Sequence, residues 1–181
     1  MQKINLELKH YCKDFVSIRE TLQKNGATNL GVVFQKDYFF NLPQNDYLIE
    51  PRLKLRTENG KQTLVFYRRG DFKKNSSNPA NVYLYEVKDN ELLSFLSEVL
   101  GIKAIVEKNR ERWRKDNITF NLDDVNSVGK IFEIEIQTTL ESKEKDEKMF
   151  VQYRNKFLKY LGDIVKGSNV DLVKKTCFDK T

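Results

Sequence analysis

Apolar and charged residues alternate with a period of two in several separate segments of this 181-residue chain. In residues 4–8, 53–56 and 132–136, aliphatic or aromatic side chains occupy one parity, and charged or amide side chains occupy the other. Successive side chains of a β-strand point to opposite faces of its sheet, so the pattern predicts strands with one apolar and one polar face. We therefore expect a sheet that buries one face and carries charge on the other.

Other segments have strand character or helical period. The additional strand candidates are 32–39, 63–68, 82–87, a segment entered at Val106, and 118–122. Helices are predicted from Asp14 as N-cap to Gly26, from Asp89 to Gly101, and over 141–161 with Gly162 as the stop. Residues 69–80 are interpreted as a mobile surface loop. About eight strands in mostly adjacent hairpins and three helices predict an antiparallel α+β protein, a single domain over residues 1–181.

Composition excludes several classes of protein. Hydrophobic residues make up 39% and aromatic residues 12% of the chain, which is enough for a core and excludes global disorder. Glu7 and Lys9 stand where a signal peptide needs an apolar core, and no later apolar run approaches the length of a membrane span. We therefore expect a cytoplasmic protein with no membrane partner. Cys12 and Cys177 lack metal-ligand spacing and are expected to be reduced thiols. His10 is the only histidine, which leaves His-based catalysis without support.

The charges on the polar parities are sorted by sign. The chain has 32 Lys and Arg against 26 Asp and Glu, yet the charged residues of 52–56 are all bases and those of 133–135 are all acids. An ordinary solvated face would mix the signs, because like charges side by side destabilise a sheet. The sorting favours a closed barrel whose basic rows hold a polyanion and whose acidic rows hold a divalent metal ion. A half-buried sheet whose polar face meets water stays open as the alternative.

An ordered set of short motifs resembles a known family. In chain order they are Asn5-Leu-Glu-Leu-Lys9, Asp37-Tyr-Phe39, Arg52-Leu-Lys-Leu-Arg56, Phe66-Tyr-Arg-Arg-Gly-Asp71, Glu107-Lys-Asn-Arg110, Leu122-Asp123, Gly129 and Phe132-Glu-Ile-Glu135. Each motif is common alone, but their order and spacing over nearly the whole chain resemble the CYTH superfamily, which has the triphosphate tunnel fold. Within that superfamily the chain looks most like the class IV adenylyl cyclase branch, including the tail over 163–172.

This resemblance implies an eight-stranded, antiparallel, closed β-barrel that binds a nucleoside triphosphate or inorganic triphosphate together with Mg2+ or Mn2+. By matching position, Glu7, Glu133 and Glu135 would hold the metal. The bases that would hold the phosphates are Lys9, Lys54, Arg56, Arg68, Lys108 and Arg110. Asp123 would bind metal or position water, and with Glu7 and Lys9 it forms the expected catalytic set; Glu86 is a weaker candidate. Such roles suit a reaction governed by positioning and charge neutralisation.

Several positions depart from the family pattern, and they keep alternative functions open. These positions are Asn5, Val82, Leu84, Thr119 and Asn169. The enzyme alternatives are an adenylyl cyclase, which converts ATP to cyclic AMP and pyrophosphate, and a triphosphatase. A non-catalytic module that binds a nucleotide or polyphosphate is a third interpretation. Recognition of RNA 5'-triphosphate ends, suggested by the net charge of +6 and by Lys73 and Lys74, ranks last. A homodimer is also left open.

Overall fold

The computed structural model describes residues 4–44, 51–69, 80–139, 141–165 and 167–178. The strands in these ranges are β1 (Ile4–Tyr11), β2 (Thr28–Phe40), β3 (Arg52–Glu58), β4 (Lys61–Arg69), β5 (Ala80–Val87), β6 (Ile102–Lys115), β7 (Ile118–Val125) and β8 (Gly129–Thr138). The helices are α1 (Phe15–Lys24), α2 (Leu92–Leu100), α3 (Lys143–Phe157) and α4 (Asn169–Phe178), and a 3-10 turn, Leu158–Tyr160, follows α3. Among the described helices, none has the length and apolar character needed to cross a bilayer.

All eight strands belong to one antiparallel sheet with the order β1-β8-β7-β6-β2-β3-β4-β5. Most neighbours are consecutive hairpin strands, while β1 pairs with β8 and β2 pairs with β6. The long β2–β6 ladder contains a register shift between Asn29 and Gly31, an irregularity that increases local twist. The sheet curls into a half-barrel. The predicted antiparallel α+β class is confirmed.

The structure does not show the predicted full closure of the barrel among the residues that it describes. Closure would require the edge strands β1 and β5 to pair, and their described residues share no ladder. Side chains on both faces of β5 stay exposed, including Tyr83, Leu84 and Tyr85. The hydrogen-bonded network therefore ends at β5 instead of returning to β1.

The apolar side chains of the strands pack against three helices and form two hydrophobic cores. Over β1, β8, β7 and β6, helices α1 and α3 cover one cluster, in which the Phe157 ring lies 4.9 Å from Phe132 and 5.7 Å from Phe120. Over β2 to β5, helix α2 covers a second cluster that includes Phe40, Leu55 and several leucines of the helix. We call the face covered by α1, α2 and α3 the outer face, and burial of its alternating apolar residues fixes the direction of every strand side chain.

The first three helices agree with the sequence prediction in place and differ from it at their ends. The Asp14 carboxylate accepts a hydrogen bond from the Ser17 amide at 3.0 Å, which confirms the N-cap of α1. Helix α2 is capped at Glu91 instead of Asp89, whose carboxylate accepts from the Glu91 amide at 2.8 Å. Helix α3 ends at Phe157 because the chain tightens into the 3-10 turn before 161.

Helix α4 was not predicted, although its start is encoded in the sequence. The Ser168 amide and hydroxyl both donate to the Asp171 carboxylate, at 2.9 and 2.8 Å. This is the pairing of an N-cap serine with an acid three residues later, a recognisable signal for a helix start. Gly167 precedes it at φ +98°, where a side chain would contact Asp171.

Helix α4 packs against the other face of the sheet, at one end. Val170 of α4 joins a buried cluster with Phe39, Val106, Val125 and Ile131. Asp171 also accepts a hydrogen bond from Arg52 of β3 at 3.0 Å. This apolar cluster therefore covers one end of the inner face and leaves the charged part of that face, from β1 to β3, uncovered by α4.

Some predictions lie outside the described residues. These are the interior of the expected 69–80 loop with Lys73 and Lys74, and the side chains of Asn5 and Cys177. Cys12 is buried and free, and its thiol donates to the Tyr160 carbonyl at 3.4 Å.

We expect Phe157→Ala to lower the free energy of unfolding by about 3 to 5 kcal/mol, because it empties a fully buried position between α3 and the sheet. Phe95→Ala is the matched control, since Phe95 of α2 is 62% exposed and should change stability little. Urea denaturation measures both values. Equal stabilities of the two variants would contradict this description of the core.

Candidate active site

The face opposite the outer face carries the charged parity of the strands. We call this inner surface the trough. Its polar residues are Glu7, Lys9, Gln35, Asp37, Lys54, Arg56, Glu58, Lys108, Arg110, Arg112, Asn121, Asp123, Glu133 and Glu135. Cross-strand partners share a face of a sheet, and the register pairs these residues or places them two positions apart. The trough is thus a continuous charged surface that crosses six strands from β1 to β3.

Three carboxylates meet at the β1–β8 end of the trough. Glu7 is the register partner of Glu135, and Glu133 lies opposite Lys9. One oxygen from each of Glu7, Glu133 and Glu135 lies within 4.8 Å of the other two. The Lys9 ammonium donates to Glu7 and lies 3.2 Å from Glu133, so it neutralises part of this acidic trio.

The two carboxyls from β8 differ in their protonation. Burial raises the pKa of Glu135 well above its usual value, and the adjacent Glu133 raises it further. Burial opposes ionisation of Glu133 as well, but Lys9 and Arg110 hold its pKa well below the usual value. Within the pair, the surroundings therefore favour the charged form of Glu133 and the protonated form of Glu135.

Asp123 anchors a buried cluster in the middle of the trough. The Arg110 guanidinium donates to both of its oxygens, at 2.6 and 2.7 Å, and the Lys108 ammonium donates at 2.7 Å. Arg110 also donates to Glu133 at 2.8 Å. Burial and the charge of Arg110 lower the pKa of Lys108 to about 8. This network ties β6, β7 and β8 together through charge-assisted hydrogen bonds.

Asp37 anchors a second cluster of the same form on β2 and β3. Lys54 donates to it at 2.6 Å, and Arg56 donates to its two oxygens at 2.7 and 2.9 Å. Burial opposes ionisation of Asp37, but Lys54 and Arg56 hold its pKa far below the usual value. Burial, followed by the charge of Arg56, lowers the pKa of Lys54 to about 7.

A third ion pair lies at the end of the trough away from α4. Arg112 donates to both oxygens of Glu58, at 2.8 and 2.9 Å, and the Gln35 amide donates to the same carboxylate. This pair bridges β6 and β3 over β2, where Gly31 is the register partner of Arg112. Because both side chains keep partial exposure, this end of the trough is open to solvent.

The structure brings nine of the predicted site residues into the trough. They are Glu7, Lys9, Lys54, Arg56, Lys108, Arg110, Asp123, Glu133 and Glu135. It does not bring Arg68 there, because Arg68 has the parity of Leu64, whose register partner is the outer-face residue Leu55. Glu86 has the trough parity but is exposed on the edge strand.

Several trough residues were not in the predicted site, and Asp37 is the clearest of them. An aspartate is depleted from strand interiors, so its place inside the predicted 32–39 strand was a signal for a buried ion pair. Arg112 and Glu58 carried no comparable signal, because their contact joins strands separated by more than fifty residues of chain.

Three of the positions that depart from the family pattern lie on the same face of the sheet as the trough. They are Val82, Leu84 and Thr119. Thr119 lies opposite Glu135 and Arg114, and Val82 and Leu84 lie opposite Tyr67 and Val65. The β4–β5 side of the inner surface is consequently apolar at these positions.

This chain belongs to the CYTH domain family, whose model matches residues 3–163. A Methanocaldococcus jannaschii protein named "Putative adenylate cyclase" is 27% identical over 170 residues, covering 92% of this chain and 90% of that protein.

Solved structures share the fold. A Pyrococcus horikoshii protein has a TM-score of 0.76 at 24% identity, covering 93% of this chain and 98% of its own. A Hippeastrum protein, described as having a dominant triphosphatase activity, has a TM-score of 0.64 at 14% identity, covering 96% and 95%. At such identities these structures show a common fold and nothing further about this chain.

We expect Asp123→Asn to lower the free energy of unfolding by about 3 to 5 kcal/mol, because it leaves the buried Lys108 and Arg110 short of a counter-charge. Asp124→Asn changes the neighbouring, exposed carboxylate and should have an effect within about 0.5 kcal/mol. The two are compared by urea denaturation. A wild-type stability for Asp123→Asn would show that the cluster does not hold the sheet.

Proposed function

We propose that this protein is a metal-dependent enzyme that binds a triphosphate in the trough and cleaves one of its phosphoanhydride bonds. The observation that carries this proposal is the juxtaposition, on one face, of an acidic trio and a row of buried bases. A polyanion needs the bases, and a divalent cation needs the oxygen ligands. Membership of the CYTH family supports the same interpretation.

The bases of the trough would hold the phosphate chain. Lys54 and Arg56 lie on β3, and Lys108 and Arg110 lie on β6, with β2 between them. All four are held by Asp37 or Asp123 in fixed orientations, which reduces the reorganisation that phosphate binding requires. Lys9 adds a further cation at the edge of the acidic trio.

The acidic trio fits Mg2+ or Mn2+ in its chemistry. It offers three carboxylates within a small radius, and carboxylate oxygens are the protein ligands that these hard ions take. Glu7, Glu133 and Glu135 would hold the ion. When bound, it would neutralise charge that develops on the phosphoryl oxygens.

Two reactions are compatible with such a trough. In hydrolysis, a water oxygen attacks the γ-phosphorus of ATP, the bond to the bridging oxygen breaks, and ADP and orthophosphate leave. In cyclisation, the ribose 3'-oxygen attacks the α-phosphorus and loses its proton, the bond from that phosphorus to the bridging oxygen breaks, and cyclic AMP and pyrophosphate form. Asp123 and Glu133, whose pKa values are lowered by the neighbouring bases, would orient the attacking hydroxyl or water.

Binding without turnover is the second candidate, and the apolar β4–β5 side favours it. Val82 and Leu84 give the bound phosphates no charged partner from that side. A module built on the bases alone would keep its affinity in a metal chelator, whereas the enzyme would lose turnover completely.

The test is incubation with ATP and, separately, with inorganic triphosphate, each with Mg2+, Mn2+ or chelator. Products are separated by anion exchange and identified by mass. Cyclic AMP with pyrophosphate identifies a cyclase, and orthophosphate with ADP or pyrophosphate identifies a triphosphatase. Absence of product with retained binding in calorimetry would contradict the enzyme and favour the binding module.

Glu133→Gln and Glu135→Gln should each abolish metal-dependent turnover, because each replaces a carboxylate that would ligate the ion with a neutral amide. Calorimetry should show loss of Mn2+ binding, while circular dichroism stays that of the wild type. Glu141→Gln, an exposed carboxylate outside the trough, is the control. Full activity in both β8 variants would exclude a metal site at this strand.

Triphosphate binding should take up a proton at Lys54. The pKa of Lys54 is about 7, so its side chain is mostly a neutral amine at pH 8.5 in the ligand-free protein. A bound polyanion favours the protonated form of this side chain. Affinity should therefore fall as the pH rises from 7 to 9. Calorimetry at pH 8.5 in two buffers of different ionisation enthalpy measures the uptake directly.

Lys54→Met should remove this proton uptake and weaken triphosphate binding by about 10- to 100-fold. Lys61→Met is the matched control, because Lys61 is exposed at the start of β4. Identical proton uptake in wild type and Lys54→Met would assign the linkage to another group.

A further inference from the structure

Asn121 is a buried amide with neither of its polar atoms satisfied. It lies in the middle of β7, is 1% exposed, and both its Oδ1 and its Nδ2 lack a hydrogen-bond partner among the residues that the structure describes. Buried side-chain amides are nearly always hydrogen-bonded, because burial otherwise removes their contacts with water without replacement. An unsatisfied amide of this kind therefore needs an explanation.

The position of Asn121 lies between the acidic trio and the bases. Its register partners are Glu133 on β8 and Arg112 on β6. Glu133 accepts a hydrogen bond from Arg110 and forms an ion pair with Lys9, and Arg112 donates to Glu58. Neither Glu133 nor Arg112 forms a hydrogen bond with the Asn121 amide. The two charged neighbours are satisfied elsewhere, while the amide between them offers one donor group and one acceptor.

The chemistry of the amide indicates what it would bind. Phosphate oxygens only accept hydrogen bonds, and carboxylates only accept them, so a phosphate can pair with Nδ2 but not with Oδ1. A hydroxyl or water can donate to Oδ1. A site that holds a phosphate chain beside an attacking hydroxyl or water provides both partners at once.

We propose that Asn121 is a ligand-contacting residue of the trough, whose Nδ2 donates to a phosphate oxygen and whose Oδ1 accepts from the adjacent hydroxyl or water. The proposal rests on the proposed function, because it uses the same triphosphate. The amide adds a neutral contact with a donor for the phosphate and an acceptor for the hydroxyl or water. The surrounding Lys and Arg side chains only donate, and the ionised carboxylates only accept.

The experiment replaces the amide by an apolar side chain of the same branching. Asn121→Leu should raise the melting temperature of the ligand-free protein by about 2 to 6 °C, because the unsatisfied polar atoms are gone. It should also weaken binding of inorganic triphosphate and of a non-hydrolysable ATP analogue by about tenfold each, measured by calorimetry. Asn121→Ala, which removes the amide without adding volume, should show the same loss of affinity.

Asn109→Leu is the matched control, since Asn109 is exposed on the outer face of β6 and should leave affinity unchanged. Unchanged affinity in both Asn121 variants would overturn the inference and leave the amide bound to an internal water. A loss confined to the ATP analogue would also overturn it, because the contact would then be to the nucleoside and not to the phosphates. A wild-type protein that binds neither ligand would instead refute the proposed function, which separates the two failures.

Discussion

The two aspartates buried in the trough, Asp37 and Asp123, each hold one lysine and one arginine. Moving a single ion out of water costs several kcal/mol, so the three buried cations and the half-buried Arg56 would oppose folding of the whole sheet without these carboxylates. Their hydrogen bonds cross from β2 to β3 and from β6 to β7, the strands that form the middle of the half-barrel. Folding of the sheet and placement of the cations are consequently one event. A ligand meets bases that are already oriented, and little of its binding energy is needed to order them.

The same strand register decides what becomes core and what becomes site. Along β7, Ile118, Phe120 and Leu122 are fully buried against α1 and α3, while Asn121 and Asp123 point into the trough. A shift of one residue would exchange these two sets, burying charge under the helices and exposing phenylalanine in the trough. Packing of Phe120 against Phe157 thus helps to fix the register that keeps Asn121 and Asp123 in the trough, from the opposite face of the sheet. Helix α4 completes the arrangement by covering one end of the inner face with Val170 and its neighbours, which leaves a trough with one apolar end and one open end.

Much of this organisation can be read from the sequence because it depends on local periodicity. Alternation in 53–56 and 132–136 predicts strands and assigns their faces, and Asp14 predicts the start of α1. The sequence does not determine which of two adjacent basic residues faces the trough, so Arg68 could not be excluded before the β4 register was known. Barrel closure depends on whether two distant edge strands meet, a property that no local pattern contains. Helix α4 is different, because Ser168 and Asp171 encode its start locally in the sequence.

If the proposed function holds, the charge balance of the trough makes metal and triphosphate interdependent. Lys9 is engaged by Glu7 and Glu133, and Arg110 is shared between Asp123 and Glu133. A triphosphate that drew these bases away would leave the acidic trio without counter-charge, at a cost that rises with burial. A divalent cation at the trio would replace that lost charge, and it would favour ionisation of Glu135, whose proton is held by burial and by Glu133. Each ligand thereby compensates the charge that the other would leave unbalanced. Because binding equilibria at linked sites are reciprocal, each ligand should raise the affinity for the other.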